Sequence, residues 1–490
     1  MKKIVIPFLA SLLFCGLIPI QAKNLQAYLN YTVFNVPGQN PYIETYLSVS
    51  GESVAYTLNE KGQFQGSIEV TFIFRKDNEI KEFDKYQLFS PEIQDTSFID
   101  FSFIDQQRYF IPQGEYEMEI SITDLNTDKK PFSATQPVSV IFDESKISFS
   151  GIQLVKSFTP SLEQNILTKG HYDLVPMVYN FYPESINKLT YYTEIYSTEE
   201  KLEAAEKFLV VSKIKSFETG NALKEFVSYR KVDASTVIPI LNEYDIANLP
   251  SGNYNLVIEV RNKENEKVAE NLLFFQRSNP NIQFQLEDLA AIDVNSTFAS
   301  HIKSSDTLQE YINCLDPIAT ELEKTFIHKQ SATSELKTKQ QFFYNFWLSR
   351  DQEKPEHAWR EYYNQVLIVN HAYKTQISKG YETDRGRVYL KYGPPNIISE
   401  SYNEPSSYPY EIWHYYVLGD SQRNKRFVFY THDMITNNFT LLHSDAIGEI
   451  SNNKWQIFLN NRWYDPYSVD AERAPNIYGG KAEDYYRNPR

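Results

Sequence analysis

PQGEYEMEISI, residues 112–122, decides how the first half of the chain folds. Tyr116, Met118, Ile120 and Ile122 alternate with Glu117, Glu119 and Ser121. That period of two gives a strand one apolar face and one wetted face. SIEVTFIF, residues 67–74, repeats the pattern, with Ile68, Val70, Phe72 and Phe74 set against Glu69 and Thr71. Strands of this kind build antiparallel sheets that bury one side. The turn clusters NVPGQNP (35–41) and NEKGQ (59–63) separate them.

A second copy of the opening stretch organises the region. PSGNYNLVIEV, residues 250–260, shares Pro-x-Gly-x-Tyr and the alternation behind it. In both copies a tight turn feeds a strand whose first tyrosine packs across the sheet corner. This arrangement resembles the tyrosine corner of immunoglobulin-like sandwiches. One more apolar strand follows each copy, QPVSVIF (136–142) and NLLFFQ (271–276). Two consecutive immunoglobulin-like β-sandwich domains are therefore expected, at 23–145 and 146–280.

Near residue 284 the period changes. DTLQEYINCLDPIATELEKTF (306–326) spaces Leu308, Tyr311, Ile312, Leu315, Ala319, Leu322 and Phe326 at threes and fours. ELKTKQQFFYNFWLSRD (335–351) does so with Leu336, Phe343, Phe346 and Trp347, and 355–378 with Trp359, Tyr362, Val366, Tyr373 and Ile377. Three amphipathic helices follow over 281–379, their aromatic stripes forming core. Pro355 suits the first turn of the last helix, where its missing N–H costs nothing.

GYETDRGRVYLKYGPPN, residues 380–396, comes next. Gly380 is expected to cap the preceding helix, with Tyr381 folded over its final turn. Thr383 and Asp384 open a turn, the Asp384 carboxylate accepting the Gly386 N–H. RVYLKYG reads as a strand with Val388, Leu390 and Tyr392 on one face and Arg387, Tyr389 and Lys391 on the other. Gly393, Pro394 and Pro395 then stop it. A β-rich region is expected over 380–465, packed on the helices, and a polar, loosely ordered tail over 466–490.

The stretch resembles the signature of the GWxTD-domain family of bacterial secreted or envelope proteins. Trp347, Arg350 and Asp351 of FWLSRD extend the likeness upstream, with Tyr362 and Tyr363. YEIWHY (410–415) and FVFY (427–430) extend it downstream. Tyr381 stands where the family has tryptophan, and Asn396 where aspartate is usual. The resemblance implies a C-terminal α+β domain and an exported protein, and no established reaction.

Composition narrows the function. The chain has 490 residues, a net charge of −15 and only 2 cysteines. An acidic chain repels a phosphate backbone, so no nucleic-acid partner is expected. Lys2 and Lys3, an apolar run over 4–20 and Ala22 read as a secretory signal peptide, 1–22. Phe14 beside Cys15, and the apolar run beyond it, argue against a lipoprotein. The mature chain carries Cys314 alone, amid helically spaced apolar residues, and no internal disulfide is expected. No segment of the mature chain is apolar enough to span a bilayer. A periplasmic or outer-membrane-associated location is expected.

The known catalytic motifs are missing. Glu411 and His414, with His432 and Asp433, would suit zinc if their strands paired. Alternation sends Glu411 and His414 to opposite faces, so no metal or cofactor is expected. Arg350, Asp351, Asp384, Arg385, Tyr389 and Trp413 are the candidate binding residues. The sequence reads best as a non-catalytic scaffold or docking factor for an envelope protein. The alternatives are a glycan or cell-wall binding module using Trp413 or Trp463, and a hydrolase near Asp384 and Arg385.

Overall fold

The structure is a computed structural model describing residues 25–143, 145–201, 207–282, 284, 293–405, 407–419, 422–460 and 480–490. The leader with Cys15, and Trp463, lie outside the described residues. The chain forms two compact units. One takes the chain up to Tyr179 with Tyr191–Ala204 and Ser235–Leu241, and the other takes Asn180–Thr190, Ala205–Ala234 and Asn242–Arg490.

The first unit opens as a β-sandwich. Ala27–Phe34, Tyr42–Ser50 and Ser102–Phe110 make one antiparallel sheet. In the other, Phe64–Lys76 is flanked by Glu79–Phe89 and Gly114–Asp124, and Phe132–Val140 lies beyond. Val70 stands opposite Ile122, so the two alternating stretches point their apolar faces the same way. Ile68, Val70, Phe72 and Phe74 are fully buried with Ile43, Leu47 and Val49 of the facing sheet. Each such side chain contributes about 1.5–3 kcal/mol. Tyr116 donates its hydroxyl to the Pro112 carbonyl at 2.7 Å, which closes the expected corner.

This unit also holds a sheet in which Thr168–Lys169, Tyr172–Pro176 and Gln153–Pro160 are neighbours. Lys169 of this sheet meets Glu44 and Gln153, and its ammonium sits 4.1 Å from the centre of the Phe34 ring. Glu44 also accepts from Arg108 Nε and the Tyr46 hydroxyl, both at 2.6 Å. Burial pulls the Lys169 ammonium down to about 8, against the pull of Glu44.

The second unit begins with a five-stranded sheet ordered Phe181–Tyr182, Lys267–Arg277, Gly252–Arg261, Lys207–Ser216 and Ala222–Asp233. Tyr254 donates to the Pro250 carbonyl at 3.0 Å, a second corner built like the first. Helices α1 (Ser305–Asn313), α2 (Glu321–Lys329), α3 (Leu336–Arg350) and α4 (Pro355–Tyr373) follow, with Pro355 in the first turn of α4. A four-stranded antiparallel meander closes the domain: Ile397–Ser401, Tyr410–Leu418, Gln422–Tyr430 and Thr440–Ser444. Short helices α6 (Trp455–Leu459) and α7 (Ala482–Arg487) pack on its far side.

Three expectations change. The stretch 306–326 is two helices: Pro317 lacks the N–H that a continuing α-helix would use, a 3₁₀ turn (Asp316–Ile318) intervenes, and α2 restarts at a Thr320–Glu323 capping box. Of residues 387–393, expected as a strand, 387–392 belong to helix α5 (Asp384–Tyr392) and Gly393 follows its end. The end of the tail is ordered, since Tyr485 and Tyr486 of α7 pack beside Trp455 and Ser399 bonds Arg490 in both directions. Among the described residues, no helix is long and apolar enough to cross a membrane.

Candidate functional site

The signature is a tight crossing of α5 over α4. A Cβ on Gly380 would fall 2.1 Å from the Val369 carbonyl oxygen, and one on Gly386 would fall 1.8 Å from that of Gly380. Only glycine permits this approach. Gly380 therefore opens a 3₁₀ turn (Gly380–Glu382) against α4 and does not cap it. Tyr381 is buried beside α4, its N–H bonded to Asn370 Oδ1 at 3.2 Å. Thr383, and not Asp384, caps α5: its hydroxyl oxygen accepts the Gly386 N–H at 3.1 Å and donates to Gly380 O at 2.7 Å.

Asp384 reaches the neighbouring sheet, where its Oδ2 accepts the Leu441 N–H at 2.7 Å. Arg385 is buried. Its guanidinium donates to Glu411 Oε1 at 2.6 Å and to the carbonyl and side-chain oxygens of Asn437 at 2.9 and 2.5 Å. It lies 4.0 Å from the Phe439 ring centre and 5.1 Å from that of Tyr373. Glu411 also accepts the Trp413 indole N–H at 2.9 Å and the Tyr402 hydroxyl at 3.2 Å. The two buried charges are paired with each other, and of the Arg385 nitrogens Nε is left without a hydrogen-bond partner.

Gly393 ends α5 with φ of 82°, its carbonyl accepting the Tyr415 hydroxyl at 2.9 Å. Past Pro394 and Pro395, Asn396 Oδ1 accepts the Tyr416 N–H at 2.7 Å, a bond that a carboxylate there would also accept.

The expected second pair does not join the first. Arg350 forms a bidentate bridge to Glu323, both contacts 2.9 Å, and donates to Ile318 O and Phe346 O. It ties the start of α2 to the end of α3. Asp351 Oδ1 accepts the Glu353 and Lys354 N–H groups, ordering the loop into α4. Tyr389 packs between the helical core and the sheet core. Trp413 is fully buried, so it offers no face to a glycan. Of the proposed metal set, Glu411 is taken by Arg385, the His414 ring faces Tyr416, and His432 packs on Tyr408 and Tyr430. Burial raises the Cys314 thiol far above its usual range.

One residue escaped the sequence reading. Glu449 accepts from Arg387 at 3.1 and 2.7 Å, from Lys391 at 2.9 Å and from the Tyr392 hydroxyl at 2.8 Å. Burial works to raise its carboxyl, but these donors outweigh it and hold the group down at about 2. Asp384, Arg387 and Glu449 line a groove of about 780 Å³, as do Asn180, Phe274 and Gln276.

A β-sandwich leading into helices and a small antiparallel sheet, pinned by buried arginine–glutamate pairs, defines a scaffold of immunoglobulin-like and α+β parts. Residues 295–458 match the GWxTD domain, and the chain is a GWxTD domain-containing protein. No curated protein matches it. Among solved structures, it is similar to the fibronectin(III)-like modules of Clostridium thermocellum CbhA at 8% identity, over 52% of this chain and 97% of that one, with a TM-score of 0.15. It is also similar to Escherichia coli alpha-2-macroglobulin activated by porcine elastase at 9% identity, over 52% of this chain and 24% of that one, with a TM-score of 0.17. At such scores the likeness carries no argument, and the β reading rests on the chain's own sheets.

Proposed function

We propose that the chain is a non-catalytic scaffold or docking factor of the cell envelope, exported by its leader, that engages a protein partner in the periplasm or at the outer membrane. The supporting observation is where the signature's polar groups go. Arg350, Asp384 and Arg385 each bond within the chain, to Glu323, the Leu441 backbone and Glu411. These residues shape the domain, and recognition falls to the surfaces they hold in place.

Cross-linking in cells followed by purification of the tagged full-length chain from envelope fractions tests this reading. One protein recovered in near-stoichiometric amount is the expected result, with a mature N-terminus at Lys23. A chain recovered alone, or from the cytoplasm, contradicts it. A hydrolase at Asp384 is the competing reading, because this carboxylate borders the groove. Hydrolytic activity lost in Asp384→Asn at an unchanged melting temperature would make the chain an enzyme.

A further inference from the structure

The first unit buries a lysine and a glutamate together, residue types that are seldom fully buried. Thr168–Lys169 turns back into Tyr172–Pro176 through Gly170, whose φ of 57° suits glycine. The Gln106 side chain and the Arg108 guanidinium both donate to the Ile166 carbonyl, at 2.9 and 2.6 Å, and hold this segment down. Lys169 points inward as a result: it is 6% exposed, Gln153 is 1% exposed and Glu44 is fully buried.

An amine, an amide and a carboxylate meet there. Lys169 Nζ donates to Gln153 Oε1 at 2.5 Å and to Glu44. A C=O bond of about 1.2 Å then leaves the Gln153 carbonyl carbon no more than about 3.7 Å from Nζ. That is close to the roughly 3–3.5 Å at which aligned atoms react. The Phe34, Tyr46 and Tyr192 rings lie 4.1, 6.0 and 5.7 Å from the same nitrogen and keep water away. The Gln153 amide nitrogen has no hydrogen-bond partner. Glu44 is held in place by Arg108 Nε and the Tyr46 hydroxyl. Burial lowers the Lys169 ammonium to about 8, which brings the nucleophilic free amine within reach of mild pH.

We infer that Lys169 and Gln153 join through a γ-glutamyl–ε-lysine isopeptide bond, with Glu44 as the proton carrier. Glu44 takes a proton from the ammonium, and the freed lone pair attacks the Gln153 carbonyl carbon. The Nζ–Cδ bond forms, a second Nζ proton passes through Glu44 to Nε2, and the Cδ–Nε2 bond breaks. Ammonia leaves with the first proton as ammonium, so atoms and charge balance and no oxidant is needed. The bond ties together residues 16 apart in a chain whose described cysteine, Cys314, is free. The ion pair is the precursor, so Lys169 titrates only in chains not yet joined. The inference needs no partner and stands apart from the docking reading.

Intact-mass spectrometry of the full mature chain tests it, on freshly purified protein and again after days at roughly pH 9, where the amine is free. A species about 17 Da lighter than the sequence is expected, one ammonia lost, with a branched tryptic peptide joining Gln153 to Lys169. Gln153→Leu and Lys169→Met should keep the full mass. Glu44→Gln should slow the loss about tenfold or more with an unchanged circular dichroism spectrum. Full mass in the wild type at both times overturns the bond. So does an ammonia loss that maps to other residues or survives in Gln153→Leu. Should a variant fail to fold, the wild-type mass and its branched peptide decide alone.

Discussion

Each compact unit buries a glutamate against cations, and the two do it with different chemistry. In the first, Glu44 meets the compact ammonium of Lys169 among Phe34, Tyr46 and Tyr192, with Arg108 alongside. In the second, Glu411 meets the planar guanidinium of Arg385, which also bonds Asn437 and lies against Phe439. A buried ammonium can release its proton, whereas a guanidinium keeps its charge and fixes geometry through several N–H groups. The first unit therefore holds a titratable tie, and the signature holds a permanent one.

Glu411→Ala is the harshest test of the permanent tie. It strands Arg385 in the core and removes the acceptor for Trp413, so urea unfolding should show a loss of about 3–5 kcal/mol. The titratable tie should reveal itself through pH. The Lys169 folded-state value, about 8, lies below the ordinary 10.5, so the unfolded chain holds more protons between those limits. Stability from this side chain then rises with pH across that window. Against Lys169→Met, the wild type should gain up to about 3 kcal/mol from pH 8 to 10.5, and a flat difference would remove the contrast.

Glu449 shows the same sign at the acid end, where stability again rises with pH. Its folded value of about 2 lies below the ordinary 4.5, so its contribution is complete above 4.5 and is lost as pH falls through 2. Glu449→Gln should cost roughly 2–3 kcal/mol at neutral pH and nothing near pH 2, read from unfolding curves across that range. Smallest of all, Thr383→Ala removes the α5 cap and should lower stability by about 1 kcal/mol in thermal melts.

How far the sequence could be read follows from the distance over which each interaction acts. Tyr116 and Tyr254 were legible because each bonds a carbonyl four residues back, inside its own motif. Strand faces such as Ile68 to Phe74 were legible because their neighbours repeat the same period. Helix α5 was not, because it lies between two cores. Val388 points into the sheet core and Leu390 into the helical core, so a helix acquires a strand's alternation. The partners Glu411 and Glu449 lie 26 residues from Arg385 and 62 from Arg387, beyond any local pattern. Glu323 did leave a trace, as the fourth residue of a Thr-x-x-Glu capping box.

The central claim is that the signature's buried charges hold its shape. A double-mutant cycle of Arg385→Met and Glu411→Gln on the unfolding free energy of the full chain measures that most directly. A coupling of about 2 kcal/mol or more is predicted, with each single variant costing nearly as much as the double. Effects that add within about 0.5 kcal/mol would contradict it.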